Sequence, residues 1–322
     1  MDELFWSLDV VALYPSLPRQ ETIECCYTLL DNDDDFHKRT VARNCSKTAV
    51  KKLLHFCLTN AFLRFNDTFY EQIDGGPMGL GIVGLAANAF MEKFEKSVLH
   101  KARIMVGVYK RYADDICTKT TVSDMLKLKD AMNAEHPNIS MTHEEEKDGK
   151  IGFLDVLIHR NNDNTVDTSV YRKPCHSNQY LQFNSNHPMC HKRSVVRTLI
   201  HRAYTHCSTE TFLQEELKTA YEVLAQNGYP MPFIKRVHHQ YTHPQEKKPT
   251  PDPKQYISIP YMKGWSEGLA RICASSGIAV RHRALQQNQD PCEDCQGPSS
   301  TREVQGQCLC NTMPKLPNRV YW

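Results

Sequence analysis

Two acidic positions stand inside apolar sequence and could carry metal-dependent chemistry. Asp9 lies in the run Leu-Asp-Val-Val-Ala-Leu, and Asp114 precedes Asp115 in Arg-Tyr-Ala-Asp-Asp-Ile. A carboxylate between core residues of a strand is expected to be desolvated and to need a partner, and a hard divalent cation suits carboxylate oxygens. Two Mg²⁺ ions held between Asp9 and Asp114, with Asp115 beside them, would activate a 3′-hydroxyl and stabilise a leaving pyrophosphate.

Each acidic position also has a purely structural interpretation, because short motifs recur by chance. Asp9 would then cap a turn, and Asp114 with Asp115 would form a solvated hairpin tip. The order of the motifs favours chemistry: Tyr14 follows Asp9 by five residues, a glycine-containing run comes next, and Tyr112 with the two aspartates comes last. The middle run supplies four further candidates, namely Gln72, Gly75, Met78 and Gly79.

Hydrophobic periodicity predicts helices interspersed among hairpins, which favours an α+β fold with an antiparallel sheet. Strands are predicted over 3–11, 62–65, 68–73, 104–109 and 116–120, with three further candidates ending near Tyr171. Helices are predicted from Pro18, after an N-cap at Ser46, after Gly84 and over 123–135.

The composition changes after Tyr171. Residues 171–243 contain nine Lys and Arg against four Glu, and their apolar spacing predicts helices. Four prolines between 240 and 255 indicate a linker. We therefore expect a first domain at 1–170, a helical domain at 171–239, the linker at 240–255, a small block at 256–286, and a disordered tail or degenerate zinc linker at 287–322.

The overall composition excludes several classes of protein. Of the 322 residues, 40% are hydrophobic, which suits a packed core, and the net charge of +2 excludes a polybasic chain. The longest nearly apolar run, 78–91, is shorter than the roughly 20 residues that span a bilayer. The acidic N-terminus differs from a signal peptide. We interpret the 13 cysteines as reduced thiols of an intracellular protein without a membrane partner.

The three ordered motifs resemble motifs A, B and C of the reverse transcriptase palm. In that interpretation Asp9 and Asp114 bind two Mg²⁺ ions, and the ring of Tyr14 blocks a ribose 2′-hydroxyl and so favours deoxynucleotides. Glycines would let the chain pass close to the template and the incoming base. The residues expected to face nucleotide and template are Tyr14, Gln72, Gly75, Met78, Gly79 and Tyr112.

Six later segments narrow the resemblance. They are Phe-Leu-Asp-Val at 153–156, Val-Tyr-Arg-Lys-Pro at 170–174, Asn-Gln-Tyr-Leu at 178–181, Asn-His-Pro at 186–188 followed by Lys192, Asn-Gly-Tyr-Pro at 227–230, and Pro-Tyr-x-Lys-Gly-x-Ser-Glu at 260–267. Together with the palm motifs, they resemble the reverse transcriptase of Penelope-like retroelements over about residues 3–286.

The family resemblance implies a right-hand polymerase palm, in which helices cover one face of the antiparallel sheet. It also implies that a helical thumb, or helix-turn-helix-like module, follows the palm. It also implies RNA-directed DNA synthesis with Mg²⁺ and, by role, a nuclear location. The implied partners are an RNA template, a DNA primer and deoxynucleoside triphosphates. Basic residues of the module would hold the phosphates of the primer–template duplex. They are Arg172, Lys173, Lys192, Arg193 and Arg197.

The sequence departs from that family near both ends and in motif B. Because the chain begins only a few residues before Asp9, we expect it to lack the fingers. It stops at Trp322 without the GIY-YIG endonuclease that many relatives carry, and Leu80-Gly81 stands where relatives tend to have Ser-Pro. We therefore interpret it as a fragment truncated at both ends.

A second metal is considered for the C-terminal region. Its four cysteines have the number and spacing of Zn²⁺ ligands, but they lie in a Gly-, Ser- and Gln-rich segment for which disorder is the competing interpretation. They are Cys292, Cys295, Cys308 and Cys310.

Two rival functions stay open, and the oligomeric state is not predicted. A catalytically inactive remnant would bind nucleic acid through residues 171–243 without extending a primer. An RNA-directed RNA polymerase would have to accommodate a ribose 2′-hydroxyl, against which Tyr14 argues.

Overall fold

The computed structural model describes residues 3–36, 38, 45–66, 68–104, 106–244 and 255–283, together with the backbone of 319–320. Its residues belong to two compact units, one formed by 1–151 with 298–322 and the other by 152–297. The division falls between Ile151 and Gly152, whereas the sequence predicts a boundary after residue 170.

The first unit alternates helices with short strands. Its strands are β1 (Leu4–Val10), β2 (Phe62–Phe65), β3 (Thr68–Gln72), β4 (Val108–Tyr112), β5 (Asp115–Thr120) and β6 (Met141–Glu145). Its helices are α1 (Leu13–Ser16), α2 (Arg19–Asp31), α3 (Lys47–Thr59), α4 (Val83–Ala102) and α5 (Val122–Glu135). The predicted cap of α3 is confirmed, because the Ser46 hydroxyl accepts a hydrogen bond from the Ala49 N–H at 3.1 Å.

The central sheet of the first unit is antiparallel, with the strand order β4-β5-β1-β6. Helices α2, α4 and α5 cover one face, and their apolar side chains form a single core with Trp6, Leu8 and Val10 of β1. Strand β1 places every second residue on this face, because side chains alternate along a strand. The predicted α+β fold with an antiparallel sheet is thereby confirmed.

Strands β2 and β3 form a separate hairpin in the same unit, as the sequence predicts. The chain turns at Asn66, whose φ of 46° lies in the left-handed region that asparagine tolerates. The backbone of β12 (Arg319–Val320) pairs with β3 in parallel. The last residue of β3, Gln72, leads directly into the glycine-containing loop before α4.

The second unit begins with a three-stranded sheet and continues with helices. Its elements are β7 (Lys150–Phe153), which crosses the division, β8 (Val156–Arg160), β9 (Val166–Val170), α6 (Met189–His206), α7 (Glu210–Gln226), α8 (Met231–Thr242), β10 (Gln255–Pro260), α9 (Trp265–Ser275) and β11 (Ile278–Arg283). Helices α6, α7 and α8 share a core that includes Ile200, Leu224 and Ile234. Strands β10 and β11 pair in parallel, with α9 between them in sequence.

A buried asparagine explains two of the family-like segments in the second unit. The Asn227 side chain accepts the Tyr180 N–H at 2.9 Å and donates to the Asn178 carbonyl at 2.9 Å. The Tyr229 hydroxyl donates to the Leu181 carbonyl at 2.8 Å. These bonds fix the extended segment before α6 against the end of α7, so both motifs stabilise the fold.

The described cysteines are all free, which agrees with the prediction of reduced thiols. They are Cys25, Cys26, Cys45, Cys57, Cys117, Cys175, Cys190, Cys207 and Cys273. Cys292, Cys295, Cys308 and Cys310, the candidate zinc ligands, lie outside the described residues. Within the described part of the chain, every helix is too short or too polar to cross a membrane.

Candidate active site

The pairing of β1 with β5 brings the two acidic motifs side by side. Asp9 lies directly opposite Asp115 in the ladder, and the Val10 N–H donates to the Asp114 carbonyl at 3.2 Å. Directly opposed residues of an antiparallel pair have Cα atoms about 4.5–5.5 Å apart. Carboxylates far apart in the sequence therefore share one end of the two central strands.

Asp114 lies in a two-residue turn between β4 and β5. Tyr112 pairs with Asp115, so only Ala113 and Asp114 connect β4 to β5. Ala113 has a φ of 54°, a left-handed conformation that costs an L-residue other than glycine about 1–2 kcal/mol. Tyr112 is 67% exposed beside this turn, which leaves its ring accessible.

The expectation that Asp9 is desolvated is wrong. Leu8 and Val10 face the helices and are buried, whereas Asp9 points to the opposite face and is exposed. The strand alternation that buries its two neighbours turns this carboxylate away from the core. Asp114 and Asp115 are partly buried.

The donor chemistry of this end of the sheet fits Mg²⁺. Carboxylate oxygens are hard ligands, and Mg²⁺ is commonly held by one or two carboxylates together with waters and substrate phosphates. Among the described residues, no three His, Cys, Asp or Glu side chains are grouped so that they could hold a metal by themselves. The binding of Mg²⁺ by Asp9 and Asp114 stays a prediction.

The loop between β3 and α4 packs against the segment that follows β1. A Cβ on Gly75 would lie 2.6 Å from the Pro15 carbonyl oxygen, and Gly75 has a φ of 76°. The Gly76 N–H donates to the Tyr14 carbonyl at 2.7 Å. Gly75 is thus required both by its backbone conformation and by close approach to backbone, here of the protein itself.

Two residues outside the predicted set organise this loop. The Asp74 carboxylate accepts the N–H groups of Gly75 at 2.9 Å and Arg19 at 3.2 Å. The Arg19 guanidinium donates to the Gln72 carbonyl at 2.7 Å. The Asp-Gly dipeptide was a usable signal for Asp74, since aspartate often bonds the backbone of a turn. Nothing local in the sequence marks Arg19.

The prediction that the Gln72 side chain faces nucleotide or template is wrong. Gln72 is only 4% exposed, and its amide donates to the Asp74 carbonyl at 2.9 Å. It lies at the inward end of β3, where a polar side chain must bond to its surroundings. Its contribution to the site is to shape the loop.

Two other loop residues that are predicted to face nucleotide and template, Met78 and Gly79, are less closely packed than Gln72 and Gly75. Met78 is 66% exposed, and a Cβ on Gly79 would meet nothing within 4 Å, although Gly79 has a φ of 93°. Tyr14 is partly buried against the first core, and its hydroxyl lies 4.0 Å from where a Cβ on Gly84 would be. Its role as a sugar gate stays a prediction.

Lys192 is buried and already hydrogen-bonded, so its ammonium is not displayed for the phosphate contact that the resemblance implies. Its side chain is buried, with 1% of the residue exposed, and its ammonium donates to the Ser185 carbonyl at 2.7 Å. The same ammonium lies 5.3 Å from the centre of the Phe183 ring. Burial lowers the pKa of Lys192.

Arg172 is likewise engaged inside the second unit. Its guanidinium forms two hydrogen bonds with the Glu216 carboxylate, one of them at 2.7 Å. These bonds raise the pKa of Arg172. The prediction of a phosphate contact therefore does not hold for Arg172, whereas Lys173, Arg193 and Arg197 are exposed.

The Arg172–Glu216 pair gives a stability prediction. Replacing Arg172 with alanine should lower the free energy of unfolding of the second unit by about 3–5 kcal/mol, because the buried Glu216 carboxylate loses its partner. The control is the exposed neighbour Lys173, because Lys173→Ala should change the free energy of unfolding by less than about 0.5 kcal/mol. Chemical denaturation followed by circular dichroism measures both, and equal effects would contradict a buried pair.

Residues 179–239 match the family model of the animal helix-turn-helix domain. This agrees with the helix-turn-helix-like module expected near 171–239. No curated protein matches the sequence.

Among solved structures, the chain is similar to telomerase from Candida albicans in complex with a fragment of telomeric RNA. That match has a TM-score of 0.45 and 10% identity, over 76% of this chain and 40% of the other. A Sicinivirus RNA-dependent RNA polymerase matches with a TM-score of 0.45 and 14% identity, over 75% of this chain and 51% of the polymerase. Apo telomerase from Candida tropicalis matches with a TM-score of 0.42 and 15% identity, over 75% of this chain and 47% of the telomerase. The chain thus spans about half or less of the length of these proteins.

Proposed function

We propose that this chain is the palm and thumb of an RNA-directed DNA polymerase from a Penelope-like retroelement. It would transfer nucleotides to a primer 3′-hydroxyl on an RNA template. The observation that carries the proposal is the register of β1 and β5. It sets Asp9 beside the turn of Asp114 and Asp115, as motifs A and C require, although the two motifs are distant in sequence.

Two Mg²⁺ ions would be held by Asp9 and Asp114, with Asp115 beside them. Bound Mg²⁺ supplies a Lewis acid that lowers the pKa of the primer hydroxyl and neutralises charge on the leaving pyrophosphate. The protein's own task is to hold the two carboxylates at one end of the sheet. The turn at Ala113 and the ladder bond from Val10 to Asp114 do so.

The second unit would supply nonspecific affinity for the duplex. Arg193 and Arg197 lie four residues apart on α6 and are exposed, so they share one side of the helix. The match to a helix-turn-helix family over 179–239 supports a nucleic-acid partner for this unit.

Primer extension on the purified chain tests the proposal. An RNA template annealed to a DNA primer, with deoxynucleotides and Mg²⁺, should give products that lengthen with time and disappear with EDTA. The inactive-remnant alternative predicts binding of the same duplex without extension. Extension with ribonucleotides in preference to deoxynucleotides would instead favour the RNA-directed RNA polymerase.

Tyr14 should act on sugar choice. Replacing it with alanine is expected to raise the kcat/KM for ribonucleotides relative to deoxynucleotides by roughly 10-fold or more, because the ring no longer blocks the 2′-hydroxyl. Tyr14→Phe keeps the ring and should leave the ratio unchanged. Single-nucleotide incorporation kinetics measure the ratio, and an unchanged value in Tyr14→Ala would mean that the ring only packs against the core.

Arg193 and Arg197 should carry part of the salt dependence of duplex binding. Replacing both with glutamine should flatten the slope of log Kd against log salt by up to about 2 units, since each phosphate contact releases a counterion. Different duplex sequences should lose affinity equally, because phosphate contacts carry no base information. Fluorescence anisotropy at several salt concentrations measures the slope.

The control for that titration removes an equal number of positive charges from another helix. Lys235 and Arg236 are exposed on α8, and their double glutamine variant should keep the original slope if α6 makes the contacts. Equal slopes in the wild type and in the Arg193 and Arg197 double variant would remove the thumb assignment from α6.

A further inference from the structure

Arg111 connects the candidate metal-binding turn to the helix that follows the glycine-containing loop. Its Nη1 donates to the Ala113 carbonyl at 3.1 Å and to the Asn88 side-chain oxygen at 2.9 Å. Its Nε donates to a Glu95 carboxylate oxygen at 2.8 Å. One guanidinium therefore holds the backbone of the turn and two side chains of α4 at once.

The regular geometry of α4 and β4 places these residues on facing sides of the helix and the strand. Asn88 and Glu95 lie seven residues apart, two turns along one side of α4. Tyr109 and Arg111 lie two residues apart on β4 and share one side of the strand. The Tyr109 hydroxyl donates to the same Glu95 oxygen at 2.7 Å, and burial together with Glu95 raises the pKa of Tyr109. Only 14% of the Arg111 side chain and 12% of the Glu95 side chain are exposed.

The residue that Arg111 holds is the strained one. Ala113 adopts the left-handed conformation in the turn, immediately before Asp114. A charge-assisted hydrogen bond to its carbonyl stabilises that conformation, and Glu95 and Asn88 fix the guanidinium that makes the bond.

We propose that Arg111, Glu95 and Asn88 are positioning residues that hold the Ala113–Asp114 turn in its metal-binding conformation and couple it to α4. This inference rests on the proposed function, because it concerns the turn that carries a candidate metal ligand. None of the three residues is assigned to contact the metal or the substrate.

The charge of Arg111 and its positioning role have opposite effects on cation binding. Removing a nearby positive charge should by itself strengthen the binding of a divalent cation, by Coulomb's law. Loss of the contacts that position the turn should weaken it, because the ligand is no longer held in place. The sign of the change in affinity therefore separates the two effects.

The experiment is a Mn²⁺ titration of the full chain, followed by electron paramagnetic resonance. We expect Arg111→Gln, which removes the positive charge, to bind Mn²⁺ roughly 10-fold more weakly. Arg111→Lys keeps the charge but loses the planar fork, so it should also bind more weakly. The control is Lys110→Gln, which removes one charge from an exposed neighbour on β4 and should leave the affinity unchanged or slightly tighter. Thermal unfolding confirms that each variant is folded at the titration temperature.

Amide hydrogen exchange at Val10 provides a readout that needs no metal. The Val10 N–H bonds to the Asp114 carbonyl, so release of the turn should speed its exchange roughly 10-fold in Arg111→Gln but not in Lys110→Gln. Unchanged exchange, or tighter Mn²⁺ binding by Arg111→Gln, would overturn the positioning role. If Asp114→Asn leaves Mn²⁺ affinity unchanged, the proposed metal site fails, and the exchange at Val10 still decides the role of Arg111.

Discussion

Replacing Asp114 with asparagine should lower the kcat/KM for primer extension by at least about 10³-fold, equivalent to about 4 kcal/mol of transition-state stabilisation. The substitution keeps the size of the side chain and removes the charge that a divalent cation requires. Asp9→Asn should have a similar effect, because Asp9 lies opposite Asp115, the residue next to Asp114, in the β1–β5 ladder. Single-turnover extension of a primer on an RNA template measures the loss.

The matched control for Asp114 is Asp130, an exposed residue of α5 in the same unit. Asp130→Asn makes the same change of charge and size and should retain the wild-type rate within about twofold, as a surface substitution does. A rate for Asp114→Asn equal to that of Asp130→Asn would refute the assignment of motif C. Unaltered thermal unfolding of both variants would show that the loss is chemical.

Three glycines of the loop before α4 should respond to alanine in a graded way. Gly75→Ala adds a left-handed alanine and a Cβ 2.6 Å from a backbone oxygen, so it should cost about 2–4 kcal/mol of stability. Gly79→Ala adds only the conformational strain, about 1 kcal/mol. Gly81 has open space and no positive φ, so Gly81→Ala should cost less than about 0.5 kcal/mol.

Denaturant unfolding of the three variants, with the intact chain as reference, measures this order. The comparison separates close approach from backbone strain, because Gly75 has both, Gly79 has one and Gly81 has neither. Equal costs at Gly75 and Gly79 would mean that the segment around Pro15 moves away and that the packing of the loop against it contributes nothing.

The amino-acid sequence was sufficient for most secondary structure. The serine cap of α3 and the two strands of the β2–β3 hairpin follow from local signals, and both are found where the sequence predicts them. The strand predicted over 104–109 begins only at Val108, because α4 runs on to Ala102 and ends at Arg103 with a φ of 50°. Four strands, β6 to β9, stand where three candidates were predicted.

The order of the acidic motifs could also be read from the sequence, but the surroundings of their side chains could not. Asp9 is exposed and Gln72 is buried, the reverse of what was expected. Asp9 is exposed because the helices cover the other face of β1, whereas Gln72 is buried where β3 meets the loop before α4 and Arg19. Helix coverage is a property of the packed unit.

The basic residues of the second unit show the same division. Their number and spacing are properties of the sequence. The tertiary structure leaves Arg193 and Arg197 exposed, buries Lys192 and pairs the partly buried Arg172 with Glu216. The Lys192 ammonium donates to the Ser185 carbonyl and lies over the Phe183 ring. The Arg172 guanidinium binds Glu216, which is 44 residues away in the sequence.

The sequence alone determined the strands, the helices and the order of the candidate catalytic motifs, because periodicity, caps and turn residues act between near neighbours in the chain. Only the tertiary structure decided which charged groups are free to act and that Arg111 joins the turn at Ala113 to α4. The physical reason is that burial and ion pairing depend on distances between residues far apart in sequence, which exist only once the core has packed.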